Sequence, residues 1–182
     1  MSKDSLTRLE RYFLSNQLRI LEALYPDEAE SLSVKREAIE NGYELLYGWD
    51  LEHIYDGSSV MTPSECEEVL ETLAMFHAID RATRETGDIE NKSFTKFSGY
   101  DGNNESKFKS FAEFMMRKRE RFSYLPLQKD NYWNSHMPMR HVYQRMLDEW
   151  HRVSETRRYA LGREETAAIL AAAIHPESRK SA

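Results

Sequence analysis

Residues 4–26 of the chain, DSLTRLERYFLSNQLRILEALYP, decide its fold class. Apolar side chains recur along this stretch at intervals of three and four residues, which is the spacing of one face of an α-helix. They are Leu6, Leu9, Phe13, Ile20 and Leu24, with Leu14 and Leu21 widening the stripe. Asp4 or Ser5 can cap the start of the helix, and Pro26 ends it just after Tyr25. The pattern therefore predicts a long amphipathic first helix.

The remainder of the chain carries the same helical signals, and its composition argues against a β fold. Only 5 prolines and 7 glycines occur in 182 residues, whereas all-β folds use both for their turns. Charged residues make up 31% of the chain, as expected for helices with charged outer faces. Thr62-Pro63-Ser64-Glu65 is a further helix start. We predict an all-α domain of six or seven helices over residues 1–175 and a flexible tail over residues 176–182.

Charge and cysteine content restrict the partners and the compartment. The formal net charge of −6 disfavours a protein that grips nucleic-acid backbones, and we expect no DNA partner. Cys66 is the single cysteine, which suits a reducing compartment. No run of about 18 apolar residues could span a membrane, and the residues after Met1 lack the apolar stretch of a signal peptide. These features predict a cytoplasmic protein.

Five segments, in this order along the chain, resemble elements of the YfbU-like proteins of bacteria. They are Leu14-Ser15-Asn16-Gln17, Glu40-Asn41-Gly42-Tyr43, Met75-Phe76-His77-Ala78, Phe97-Ser98-Gly99-Tyr100-Asp101, and Pro138-Met139 with Tyr143-Gln144-Arg145-Met146-Leu147 and Trp150-His151. The segment from Asp50 to Val60 departs from that pattern. The family is uncharacterised and has no established enzymatic activity, so the resemblance implies an all-helical fold and leaves the function open.

The histidines do not form a recognisable metal or catalytic motif. His136, His141 and His151 lack the i, i+4 spacing that places two metal ligands on one helix face, and we expect no metal and no cofactor. His77 follows Leu73 by four residues and therefore faces an apolar stripe. We interpret His77 as a neutral, hydrogen-bonded core residue; the alternative is a general base in a pocket.

Arg145 and His151 suggest one enzymatic hypothesis. Their spacing resembles the R-x4-6-H motif of HEPN-type ribonucleases, in which the histidine acts on the ribose 2′-hydroxyl without a metal and the arginine steadies the phosphate. Six residues of helix leave the two side chains about 120° apart, so they need not share a pocket. The alternative is a paired surface arginine and a histidine near a helix C-terminus. On balance the sequence favours a protein without intrinsic catalysis.

A basic cluster offers a second alternative, RNA binding. Arg117, Lys118, Arg119 and Arg121 lie close together, with Phe122 after them. The same residues also fit a helix end whose cations offset the helix dipole and pair with acidic neighbours. The negative net charge favours this structural interpretation.

Asn16 and an aromatic loop indicate an interaction surface. Asn16 falls on the apolar stripe of the first helix, with Gln17 beside it. It either hydrogen-bonds within its own fold or specifies the register of a helix–helix interface. Tyr132 and Trp133 belong to a loop of the composition enriched at interfaces. Our leading hypothesis is a self-associating interaction or regulatory protein, most simply a homo-oligomer, for which another protein partner is also possible.

Overall fold

The computed structural model describes residues 5–51, 53–55, 57–86, 94–119, 121–122, 125, 133–175 and 177. Its described part contains seven α-helices and no β-strand, which confirms the all-α prediction. They are α1 (Arg8–Leu24), α2 (Ala29–Asn41), α3 (Glu44–Asp50), α4 (Pro63–Thr86), α5 (Ser106–Arg117), α6 (Arg140–Arg152) and α7 (Arg163–Ala173). None of the described helices is long and apolar enough to cross a membrane.

The starts of α1 and α4 are fixed by capping boxes. The predicted caps Asp4 and Ser5 are wrong for α1, because Thr7 occupies the N-cap. The Thr7 hydroxyl accepts from the Glu10 amide at 3.2 Å, and the Glu10 carboxylate accepts from the Thr7 amide at 2.8 Å. This reciprocal pair satisfies two helix-end amides and so outcompetes the earlier residues. The box predicted between Thr62 and Glu65 is present at the start of α4.

The helices form two compact units, Met1–Gly57 and Ser58–Ala182, which are described separately. In the first unit α1 packs along α2. The α2 helix ends at Gly42, whose φ of 75° lies in the left-handed region that glycine adopts without strain. The predicted domain over residues 1–175 and its tail stay a prediction, since most residues after His175 lie outside the described ranges.

The second unit has a well-developed core in which aromatic rings meet. Phe76 of α4, Phe97, Tyr100 and Tyr143 of α6 are buried, and their ring centroids lie 5.2–5.7 Å apart. The Tyr143 hydroxyl donates to the carbonyl oxygen of Gly99 at 2.9 Å. Burial raises the pKa of both tyrosine hydroxyls, so they stay neutral. Three segments of the family resemblance therefore meet as structural core.

Glu105 joins two parts of this unit through backbone hydrogen bonds. Its buried carboxylate accepts from the amides of Asp101 at 3.0 Å, Met139 at 3.0 Å and Arg140 at 2.8 Å. Met139 provides no side-chain cap for α6, so Glu105 takes that role from a distant position in the sequence. Nearby, Gly99 has φ 89°, and a Cβ there would lie 1.6 Å from the carbonyl oxygen of Trp133. Only glycine fits at this close approach.

The three tryptophans have contrasting environments. Trp133 and Trp150 are buried in the second unit, at 4% and 3% exposure. Trp49, on α3 of the first unit, is 63% exposed.

Candidate interaction surface

The apolar stripe of α1 faces away from the first unit. Five large side chains along it are between 53% and 65% exposed, namely Leu9, Tyr12, Phe13, Ile20 and Leu24. At 100° per residue these side chains fall within about one third of the helix circumference. The stripe predicted from residues 4–26 therefore exists, but it is not covered by α2.

The opposite face of α1 combines the half-buried leucines Leu18 and Leu21 with a polar cluster that contacts α2. Ser15 is buried there, and its hydroxyl donates to the Glu40 carboxylate at 2.6 Å. Arg19 pairs with Glu40 at 3.0 Å, and Arg36 pairs with Glu22 at 2.7 Å and with Glu40 at 3.2 Å. The Ser15 hydroxyl, followed by Arg19 and Arg36, lowers the pKa of Glu40. In an ordinary surface helix the broad apolar stripe points inward, whereas in α1 it is exposed.

Other parts of the first unit are also exposed and apolar. The exposed side chains beyond α1 are Tyr25, Val34, Tyr43, Leu45, Trp49, Leu51, Ile54 and Tyr55. Among the described residues of this unit, the buried apolar ones are only Ala38, Ile39 and Tyr47. A unit of this size with so small a core needs further apolar burial to be stable. Its surface is therefore a better candidate site than its interior.

Asn16 lies on the stripe, with Gln17 beside it, as the sequence predicted. Asn16 is half-buried and Gln17 is exposed. Within the described part of the chain, no hydrogen bond reaches the Asn16 side chain. Both alternatives for Asn16 stay open. Glu40, Arg19 and Arg36 were not predicted as site residues, although Glu40 lies in one of the segments that carry the family resemblance.

Trp133, one of the two predicted aromatic interface residues, is not exposed in the structure. Trp133 is buried within the second unit, with its ring in the core of the chain itself. Tyr132 lies outside the described residues.

Arg145 makes structural contacts with backbone carbonyl groups. Its guanidinium donates to the carbonyl oxygens of Ala172 at 3.2 Å, Ala173 at 2.7 Å and His141 at 2.9 Å. The carbonyls of Ala172 and Ala173 end α7, where no intrahelical amide reaches them, and a cation offsets the helix dipole. Arg145 thus caps α7 from α6.

His151 lies in a different environment from Arg145. Its Nε2 lies 3.1 Å from a carboxylate oxygen of Glu71. The shallow groove around it is also lined by Glu67, Glu68 and Asp148, whereas Arg145 does not line it. Such a concentration of carboxylates repels phosphate. The structure does not bring Arg145 and His151 into one site, so the ribonuclease hypothesis lacks its phosphate-binding residue there.

The remaining candidates from the sequence, His77 and the basic cluster, differ in burial and in ion pairing. His77 is only partly buried, and it lines a surface pocket together with Arg81 and Glu85. In the basic cluster, Arg117 pairs with Glu113 at 2.6 Å, and Arg121 lies over the ring of Phe122, 5.3 Å from its centroid. Lys118 and Arg119 are exposed. RNA binding through this cluster stays a prediction.

These helices place the chain in the class of all-helical proteins. The segments that resemble the YfbU-like proteins lie in the core of the second unit and in the contact between α1 and α2. Comparison with known proteins then identifies the family. A profile described as the YfbU domain matches residues 4–172. A UPF0304 protein of Methanocaldococcus jannaschii is 31% identical over 171 residues, covering 91% of this chain and 98% of the relative. The chain belongs to the YfbU family, as the five segments predicted.

Proposed function

We propose that this protein is a self-associating helical protein whose copies pair through the apolar stripe of α1. The observation that carries the proposal is the exposed apolar stripe of α1, whose large side chains face outward while polar contacts join α1 to α2. A helix of this kind gains little from its own unit and much from a second apolar surface.

The size of the stripe supports a specific interface. Large apolar side chains each have about 150–250 Å² of surface, so five that are more than half exposed present on the order of 500 Å². That is near the upper limit for patches on monomeric proteins, about 300–600 Å². A standard interface takes roughly 800 Å² from each partner, so the stripe would supply the larger part of one side.

A second copy of the chain is the occupant that fits best. The first unit buries few apolar side chains, and a second copy of the chain is a partner that is available wherever the protein is made. Asn16 lies halfway along α1, between Arg8 and Leu24. Its amide can both donate and accept, so it can bond its own counterpart across a two-fold interface.

The proposal concerns assembly and assigns no reaction to the chain. Arg145 and His151 have separate partners in the structure, which is why no catalytic step is built on them. Cys66 as the single cysteine supports a cytoplasmic location for the assembly.

Molar mass in solution tests the proposal. We expect light scattering after size exclusion to give a multiple of 21.5 kDa for the wild type and a single-chain mass for Phe13→Asp. The matched control is Tyr159→Asp, since Tyr159 is equally exposed but lies in the second unit. It should keep the wild-type mass. A wild-type mass of one chain at millimolar concentration would contradict the proposal.

Asn16→Leu tests the register separately. If Asn16 specifies the pairing of two helices, removal of its amide should change the number of chains in the assembly. An unchanged mass with a higher melting temperature would mean that Asn16 is only tolerated on the stripe.

A further inference from the structure

A second feature of the first unit is a cavity of about 320 Å³ beside α1. Its charged lining residues are Arg8, Arg11 and Arg19 of α1 with Glu40 of α2. The volume is at the lower end of the range of small-molecule sites.

The charges around this cavity do not balance. Arg19 and Arg36 both pair with Glu40, and Arg36 also binds Glu22, so these four groups neutralise one another. Arg8 makes no ion pair with any described residue. Arg11 has only a 3.5 Å hydrogen bond to the backbone carbonyl of Glu40. Two positive charges are therefore left over at one place in a protein with a net charge of −6.

The position of Arg11 is built into the fold. Its guanidinium lies against Gly42, where a Cβ would come within 2.8 Å of Nη1. The glycine therefore serves two purposes, since its left-handed φ ends α2 and its missing side chain leaves room for the guanidinium. Arg11 is half-buried as a result, and it presents its charge at a fixed place.

Two segments of the family resemblance meet at this cavity. Ser15 and Asn16 come from the first segment, and Glu40 and Gly42 from the second; the Ser15 hydroxyl joins the two by its bond to Glu40. The other resemblance segments supply core residues and helix caps. Here the segments instead frame a cavity that is open to solvent and positively charged.

We propose that this cavity binds a small phosphate-bearing anion. Arg8 and Arg11 are three residues apart on α1, so their side chains are neighbours on the helix surface. Guanidinium groups match phosphate oxygens in geometry and form charge-assisted hydrogen bonds to them. Tyr12, which also lines the cavity, adds a hydroxyl for a further oxygen. The proposal does not depend on self-association, although Tyr12 and Asn16 belong to both surfaces.

The test is calorimetric titration of the full-length protein with inorganic pyrophosphate, with ionic strength held constant by sodium chloride. We expect saturable binding by the wild type and at least tenfold weaker binding by Arg8→Gln. The Arg8 side chain makes no hydrogen bond or ion pair with any described residue, so this variant should fold normally. Arg152→Gln is the matched control, because Arg152 is an exposed arginine paired with Glu149 in the second unit. It should bind as the wild type does.

Two results would overturn the proposal: equal binding by Arg8→Gln and the wild type, or a wild-type protein that shows neither saturable pyrophosphate binding nor binding to vesicles that contain phosphatidate. A flotation assay with vesicles that contain phosphatidate tells a lipid headgroup from a soluble phosphate. Vesicle binding that Arg8→Gln abolishes supports the same site with a lipid as the source of the phosphate. Light scattering on the same samples reports self-association independently.

Discussion

Replacement of Glu105 should destabilise the second unit more than any ordinary surface change. The Glu105 side chain is buried and accepts three backbone hydrogen bonds, from Asp101, Met139 and Arg140. Glu105→Ala leaves all three amides without this acceptor. A buried unsatisfied donor costs about 1–3 kcal/mol. Because the Arg140 amide is only partly buried, we expect a total loss of about 3–5 kcal/mol.

Glu105→Gln provides a graded comparison. The glutamine keeps one acceptor oxygen but turns an NH₂ group toward a backbone amide, so we expect about half the loss, roughly 2 kcal/mol. Urea unfolding followed by the fluorescence of Trp133 and Trp150 measures both variants in the unit that contains Glu105. A loss of 3–5 kcal/mol corresponds to about 6–20 °C in melting temperature for a chain of this size.

Glu155→Ala serves as the control, since Glu155 is exposed in the same unit. Its effect should stay within about 0.5 kcal/mol. If Glu105→Ala loses less than about 1 kcal/mol, the carboxylate does not hold these amides in solution, and the assigned role of Glu105 as the cap of α6 is refuted.

Three further predictions concern other parts of the chain. Glu40 has a lowered pKa in the folded protein, so the stability it contributes is present above its ordinary pKa of 4.5 and is lost as the pH falls below that value. Glu40→Gln should therefore flatten the loss of helical circular dichroism with falling pH. Arg145→Met should lower the melting temperature by about 4–10 °C, because it removes the cap of α7, and an unchanged melting curve would speak against that cap. Gly99→Ala should prevent folding of the second unit, since its Cβ would overlap the Trp133 carbonyl. The control Gly162→Ala, whose Cβ would meet only ordinary contacts, should cost about 1 kcal/mol of stability, and near-UV circular dichroism distinguishes the two variants.

Periodicity predicted α1 and a capping box predicted the start of α4, because these signals are local, although the predicted cap of α1 lay two or three residues too early. Sequence alone could not show which way the α1 stripe faces, since that depends on what α2 offers, and α2 offers charged groups. The cap of α6 was missed for the same reason, because Glu105 lies 34 residues before Met139.

The roles of the candidate site residues also depend on contacts between helices that are distant in the sequence. Arg145 and His151 share one helix, which suggested a common pocket, but α7 binds one and α4 the other. Arg8 and Arg11 were not predicted as site residues. They matter because the Glu40 carboxylate pairs with other arginines and so leaves these two without a carboxylate partner. Charge balance of this kind becomes visible only after the helices have been packed.

The distribution of the tryptophans gives the chain a built-in optical probe. Trp49 reports on the first unit from a watery environment, while Trp133 and Trp150 report on the second unit from a dry one. Emission from the wild type should therefore contain a red, acrylamide-quenchable part and a blue, protected part. Dilution that separates associated copies should alter only the red part if Trp49 lies near their contact. Acid or urea that melts the second unit should alter the blue part, so assembly and folding can be followed in one cuvette without a label.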